Sequence, residues 1–127
     1  MKENEISFHI RKCIFSVYNE LGPGLLEKVY EKALAYELEN NGLAIRTQVP
    51  MALKFKGSII ESGFIADLIV EDKVIIEIKA VAELGNIHHQ QLLTYLKLTD
   101  LKLGILVNFN TDYISKSIFR KINGELE

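Results

Sequence analysis

Apolar residues recur at helical spacing over the first third of the chain. From Ile6 to Leu21, the residues Ile6, Ile10, Cys13, Ile14, Val17, Tyr18 and Leu21 fall on one helical face. Gly22 predicts the C-terminal stop of that helix, and Pro23-Gly24 extends the break. A second helix is predicted from about Leu25 to Asn41, with Leu26, Val29, Tyr30, Ala33, Leu34 and Leu38 as its apolar stripe. The period then changes. Ala44–Lys56, Ser58–Ser62, Phe64–Glu71 and Val74–Ala80 are rich in β-branched residues and separated by Gly57, Gly63 and Asp72-Lys73, the signature of short strands. Helical spacing returns at Asn86–Thr99, with Asn86 as the expected N-cap, and Lys102–Phe109 reads as a buried strand. Tyr113–Asn123 is compatible with a short helix or an edge strand. The order α-α-β-β-β-β-α-β predicts an α/β (α+β) chain with a mixed central sheet flanked by helices.

Three charges interrupt this pattern. Asp67 lies at the centre of Phe64–Val70, and Glu77 and Lys79 lie within Val74–Ala80 among Ile75, Ile76 and Ile78. Side chains alternate across a strand, so Glu77 and Lys79 share one face. A lone buried charge costs several kcal/mol, so such groups must be paired, metal-bound or open to water. A two-residue turn at Asp72-Lys73 would set Asp67 opposite Ile78, away from Glu77. A three-residue connection over Glu71-Asp72-Lys73, or one bulge, would set Asp67 opposite Glu77. Two facing carboxylates repel unless a cation lies between them. The register that sets Asp67 opposite Glu77 is the one predicted here, because it gathers three stray charges into one site. The plain alternative is that Lys79 pairs with one carboxylate, or that this face is solvated.

Length and composition narrow the picture further. The chain has 127 residues, 48% of them hydrophobic and 25% charged, which suits one globular domain over residues 1–127 and not a disordered chain. Its formal net charge is −2, which argues against binding nucleic acid by bulk positive charge but not through a local patch. Only one cysteine, Cys13, is present, so neither an intramolecular disulfide nor a thiolate zinc cage is expected. No apolar run reaches the roughly 18 residues of a membrane span, and the N-terminus lacks the apolar core of a signal peptide. A cytoplasmic protein with no membrane partner is the expectation.

Taken in order along the chain, these residues resemble the PD-(D/E)XK nuclease superfamily. Asp67, Glu77, Ile78 and Lys79 are similar to its metal-binding Asp and its E-x-K strand. One helix later, Gln91-Leu92-Leu93-Thr94-Tyr95 resembles the Q-x-x-x-Y motif of its exonuclease-like branch. In the second helix, Gly24-Leu25-Leu26-Glu27-Lys28-Val29-Tyr30 resembles the motif that names the GxxExxY family, a prokaryotic group of this superfamily. One departure is Ala66, which stands where the superfamily's loosely kept proline would sit. The resemblance implies a restriction-endonuclease-like core: a helix, a three-stranded antiparallel meander, a helix and a further strand. It also implies an Mg²⁺-dependent (or Mn²⁺-dependent) nuclease, a hydrolase of phosphodiester bonds in DNA or RNA. In that reading Asp67, Glu77 and the Ile78 carbonyl are metal ligands, with Glu27 a further ligand or a support to one. Lys79 would orient or deprotonate the attacking water, Gln91 would hold Lys79 or a water, and Tyr95 would reach a phosphate.

Each supporting residue also has a simpler role. Glu27 fits an ordinary exposed helical carboxylate, and Tyr95 fits core packing with its hydroxyl at the boundary. His88-His89 diverge by about 100° on a helix, so they are not expected to chelate one ion. Cys13 sits in an apolar stripe and reads as a packed core thiol. Arg46, Lys54 and Lys56 on the hairpin, and Lys116, Arg120 and Lys121 near the C-terminus, are the candidate phosphate contacts, with no evident interleaving of basic and aromatic residues. A catalytically silent nuclease-like domain that binds nucleic acid or a protein stays open beside the nuclease reading. So does hydrolysis of a small phosphorylated substrate. A chain this small has little beyond its core to grip a duplex, which leaves room for a homodimer mate or a partner protein.

Overall fold

Gly22 closes the first helix, α1 (Glu3–Leu21), by adopting φ 66° and donating its N–H to the Tyr18 carbonyl at 2.8 Å. This is a computed structural model that describes residues 1–127, the side chain of Ser62 excepted. After α1 come α2 (Glu27–Asn40), β1 (Ile45–Phe55), β2 (Ser58–Val70) and β3 (Val74–Lys79). The chain continues with α3 (Asn86–Thr99), β4 (Leu103–Asn108), a 3-10 turn (Ile114–Lys116) and β5 (Ile118–Ile122). The five strands form one sheet in the order β1-β2-β3-β4-β5. Only β3 and β4 are parallel, joined by α3 as a crossover; the other pairs are antiparallel.

The sheet is covered on both faces. Leu68, Val70, Ile76, Ile78, Ile105 and Val107 pack against Ile6, Ile10, Ile14, Leu34 and Leu38 of α1 and α2. Ile69, Ile75 and Leu106 pack against Leu92 and Leu96 of α3 on the other side. Ile75, Ile76 and Ile78 are essentially inaccessible to water, and burying each contributes about 1.5–3 kcal/mol. That anchorage holds the polar residues between them in fixed positions.

Several details differ from the sequence reading. Ser58–Ser62 and Phe64–Glu71, expected as two strands, are one continuous strand, so the order is α-α-β-β-β-α-β-β. Gly63 is not a turn. A Cβ there would lie 2.8 Å from Leu53 Cδ1, so the glycine admits a close cross-strand approach beside a bulge between Met51 and Leu53. Pro50 sits within β1, which tolerates it because β1 is an edge strand. Asn86 opens α3 but does not cap it: Gly85 is the N-cap, with no side-chain cap bond. The C-terminal segment resolves into the 3-10 turn followed by the edge strand β5.

The hairpin between β2 and β3 takes the expected register, through a three-residue connection and not a bulge. Val70 pairs with Val74, Ile69 with Ile75 and Leu68 with Ile76. Glu71 and Asp72 both have left-handed φ, 54° and 55°, and Lys73 N–H bonds back to the Val70 carbonyl at 3.0 Å. Left-handed φ in non-glycine residues costs of order 1 kcal/mol each. The turn is pinned against that cost: Arg46 binds Asp72 through Nε at 3.0 Å and Nη2 at 2.9 Å, and Ala44 N–H donates to Glu71 Oε2 at 2.6 Å. Arg46, expected as a phosphate contact, is thereby engaged in holding the register.

Candidate active site

The β2–β3 ladder ends at Leu68↔Ile76, and the next residues along that register are Asp67 and Glu77. Two strands change face at this point. Leu68 and Val70 face α1 and α2, whereas Ala66 and Phe64 belong to the cluster around α3. On β1, Ile45 packs on the first cluster, and Val49, Met51 and Leu53 on the second. Thr47 pairs with Leu68 and Val49 with Ala66, so the switch falls on Gln48 and Asp67, and Gln48 has φ 49°. Asp67 thus sits at a kink, where its side chain turns along the sheet instead of lying on either face.

Both carboxylates use that opening. Asp67 Oδ2 accepts the Ile78 N–H at 2.8 Å, while Glu77 Oε1 lies 3.5 Å from Asp67 N. The Glu77 carboxyl is pushed up from 4.5 to about 8, chiefly by burial and then by the charge of Asp67 beside it. The Asp67 N–H and Lys79 act in the opposite direction. Strand alternation puts Lys79 on the Glu77 side of β3, half-buried, and no ion pair of Lys79 is present among the described residues. Two carboxyl groups therefore share one end of the sheet, short of one positive charge, with a lysine adjacent along the strand.

Glu27 reaches the same end of the sheet from α2. It is the first residue of that helix, and its Oε1 accepts the Ala80 N–H at 3.2 Å, just past β3. Tyr30 explains how it is held. The Tyr30 ring is fully buried and stacked on Phe109, with centroids 4.5 Å apart. Its hydroxyl donates to the Gly22 carbonyl at 2.6 Å and accepts the Leu25 N–H at 3.1 Å. Tyr30 fixes the Gly22-Pro23-Gly24 loop, and so the entry of α2 and the placement of Glu27.

A cavity of about 210 Å³ lies here, lined by Glu27, Lys28, Glu31, Gln48, Asp67 and Ile78. Sequence reasoning missed Glu31 and Gln48. Glu31 is only 8% exposed, and Gln48 Nε2 donates to its Oε1 at 2.6 Å and lies 3.4 Å from Asp67 Oδ1. The available signal was spacing: Glu31 is four residues after Glu27, on the same helix face. Gln48 carried none, since nothing in its neighbourhood marks a left-handed residue.

The oxygen donors suit a hard divalent cation such as Mg²⁺ or Mn²⁺, and a cation beside Asp67 and Glu77 would displace the proton that Glu77 retains. Among the described residues, however, no three His, Cys, Asp or Glu side chains are spaced to hold a metal ion together. Asp67 is turned to the Ile78 N–H, and Glu27 to the Ala80 N–H. Asp67, Glu77 and Ile78 are brought together, with Glu27 at the rim.

Gln91 and Tyr95 are placed differently. Gln91 is exposed on α3, and Tyr95 stacks on Phe64 at 3.7 Å within the α3 cluster. His88 and His89 are half-buried, each with a buried Nδ1 lacking a partner, and His89 meets Phe119 edge-on at 4.8 Å. Burial lowers the His89 pKa, helped by Lys121 and His88. Cys13 is a packed core thiol, pushed up to about 11 by burial and then by Glu37. No helix of the described residues is long and apolar enough to cross a membrane.

A sequence profile of the PD-(D/E)XK nuclease superfamily matches residues 4–121. Among solved structures, the chain is similar to one described as the crystal structure of SSO0001. The identity is 27% and the TM-score 0.56, over 78% of this chain and 51% of that one. The chain thus spans about half the length of that protein. The mixed sheet with helices on both faces agrees with a restriction-endonuclease-like core. No curated protein matches the chain.

Proposed function

The chain belongs to the PD-(D/E)XK nuclease superfamily, and from that premise we propose that it is a divalent-metal-dependent nuclease cleaving phosphodiester bonds in DNA or RNA. The observation that carries the proposal is the meeting of Asp67 and Glu77 where the β2–β3 ladder ends, with Lys79 on the same side of β3. We further assign the chain to the GxxExxY family within that superfamily. The support is the hold of Tyr30 on the loop before α2, which sets Glu27 at the rim of the site.

Asp67, Glu77 and the Ile78 carbonyl would hold Mg²⁺ or Mn²⁺, with Glu27 supporting from α2. When bound, the ion supplies neutralisation of the phosphoryl charge and a water of lowered pKa. The chain's own groups do the rest. Glu77 gives up its proton, and Asp67 and Glu77 then present two carboxylates on a rigid strand pair. Lys79 Nζ orients the attacking water or, entering the step neutral, takes its proton, and the ammonium lies against the phosphate oxygens as negative charge develops. Gln91, exposed on α3, is kept as the group that would hold Lys79 or a water, and Tyr95 would reach a phosphate only from its stacked position on Phe64.

The test is a Mg²⁺ and Mn²⁺ titration with plasmid, linear duplex and single-stranded substrates. Hydrolysis should fall by at least about a hundredfold in Asp67→Ala and Lys79→Ala with the fold retained by circular dichroism. Unchanged hydrolysis in both variants would remove the assignment. The second reading, a domain that binds without cleaving, draws on one observation: the carboxylates are not spaced as a three-member metal site among the described residues. Calorimetry separates the two, since a domain with intact fold and no Mg²⁺ binding supports the silent reading.

A further inference from the structure

A groove of about 390 Å³ runs between α2 and β1, lined among others by Lys28, Glu31, Lys32, Tyr36, Thr47 and Gln48. Lys28, Glu31 and Gln48 also line the acidic cavity beside Asp67, so the groove opens directly into the candidate site. Lys28, Lys32 and Tyr36 are spaced four residues apart and share one helix face, each step advancing about 6 Å along α2. Tyr36 is 68% exposed although it is a large aromatic residue, and both lysines are exposed as well. Lys28 lies 3.9 Å from the buried Glu31 carboxylate, which aims its ammonium group at the junction of groove and cavity.

We propose that this groove holds a single-stranded segment of nucleic acid and leads it to the acidic cavity. Lys28 and Lys32 contact successive phosphates, and Tyr36 offers its ring to an unpaired base. The inference rests on the nuclease reading and names the form of the substrate. A duplex keeps its bases stacked inward, so only an unpaired base presents a face to Tyr36. Two exposed lysines one helical turn apart, about the spacing of successive phosphates, suit a polyanion better than a protein segment. Glu39 at the groove's edge repels phosphate and confines the track to a few nucleotides.

Fluorescence anisotropy with a short labelled oligothymidylate, and with a labelled duplex of equal length, tests the proposal across a salt series with and without Mg²⁺. The single strand should bind more tightly than the duplex. Lys32→Ala should flatten the slope of log affinity against log salt by about 0.7, the value for one phosphate contact on a single strand. Tyr36→Ala should weaken binding roughly tenfold, and Tyr36→Phe should restore it. Lys102→Ala, exposed just before β4 and outside the groove, should change neither quantity. Both groove positions are exposed, so folding is checked simply by circular dichroism. Duplex preference, absence of oligonucleotide binding, or wild-type affinity and slope in both Lys32→Ala and Tyr36→Ala would overturn the groove assignment. Groove-dependent binding by a protein that cleaves nothing in any metal would instead reject the nuclease reading and leave the strand track standing.

Discussion

Replacing Glu77 by glutamine should stabilise the metal-free protein at neutral and alkaline pH. The Glu77 carboxyl titrates near 8 in the fold instead of 4.5, because burial and Asp67 disfavour its ionised form. A carboxyl raised in this way leaves the folded state holding more protons than the unfolded one between those two values. The stability contributed by this carboxyl is therefore fully present below about pH 4.5, falls as pH rises, and levels off above about pH 8. At 1.36 kcal/mol per pH unit, the loss across that window is on the order of 5 kcal/mol, a large fraction of a small domain's stability. In melting temperature this is roughly 18 °C for a chain of this size. Glu77→Gln keeps the shape and removes the titration, so its stability should be flat where the wild type declines. Urea denaturation in EDTA, repeated from pH 4 to 9, measures both curves. Mg²⁺ at pH 8 should then recover stability in the wild type and not in the variant, by linkage to the ionised pair. Parallel pH curves for the two proteins would refute the reasoning, since Glu77 would then not be the group whose proton the fold retains.

Three further outcomes follow from particular contacts. Tyr30→Phe removes a hydroxyl that serves both the Gly22 carbonyl and the Leu25 N–H, and should cost about 1–3 kcal/mol in urea denaturation. The same variant should weaken Mg²⁺ binding by calorimetry, because Glu27 loses its fixed starting point. Gly104→Ala places a Cβ within 2.9 Å of Leu92 Cγ and Cδ1 under α3, and should lower stability by about 1–3 kcal/mol with a visible fall in melting temperature. Gln48→Ala strips the buried Glu31 carboxylate of its donor and should cost about 2 kcal/mol, whereas Gln48→Asn, better suited to left-handed φ but shorter, should cost less only if the bond to Glu31 re-forms.

Hydrophobic periodicity made the helices legible, along with β3 and β4, because their apolar residues recur at helical spacing or in short β-branched runs. Periodicity also made the register at Glu71-Asp72-Lys73 predictable, since three charges could share one site in only one parity. Gly63 misled for a local reason: glycine marks turns, but here it makes room for Leu53 inside a continuous strand. The aromatic and basic residues of α2 were legible only in part. Lys28, Lys32 and Tyr36 carry a four-residue spacing, yet nothing in the sequence places β1 alongside to turn that face into a groove.

The kink at Gln48 and Asp67 was the feature least accessible from sequence and the one on which the site depends most. A straight β2 would leave Asp67 on the α3 face like Ile69, packed under a helix and remote from α2. By switching face together, β1 and β2 turn Asp67 toward the Ile78 N–H and carry Gln48 to Glu31. The left-handed backbone at Gln48 costs of order 1 kcal/mol, and the bond from Gln48 to a nearly buried carboxylate offsets it. Glu31 therefore fixes a bend that opens the site from the side of α2, where Glu27 and the strand track meet it. Two helix carboxylates four residues apart divide the work: Glu27 caps the end of β3, and Glu31 holds open the strand pair that presents Asp67.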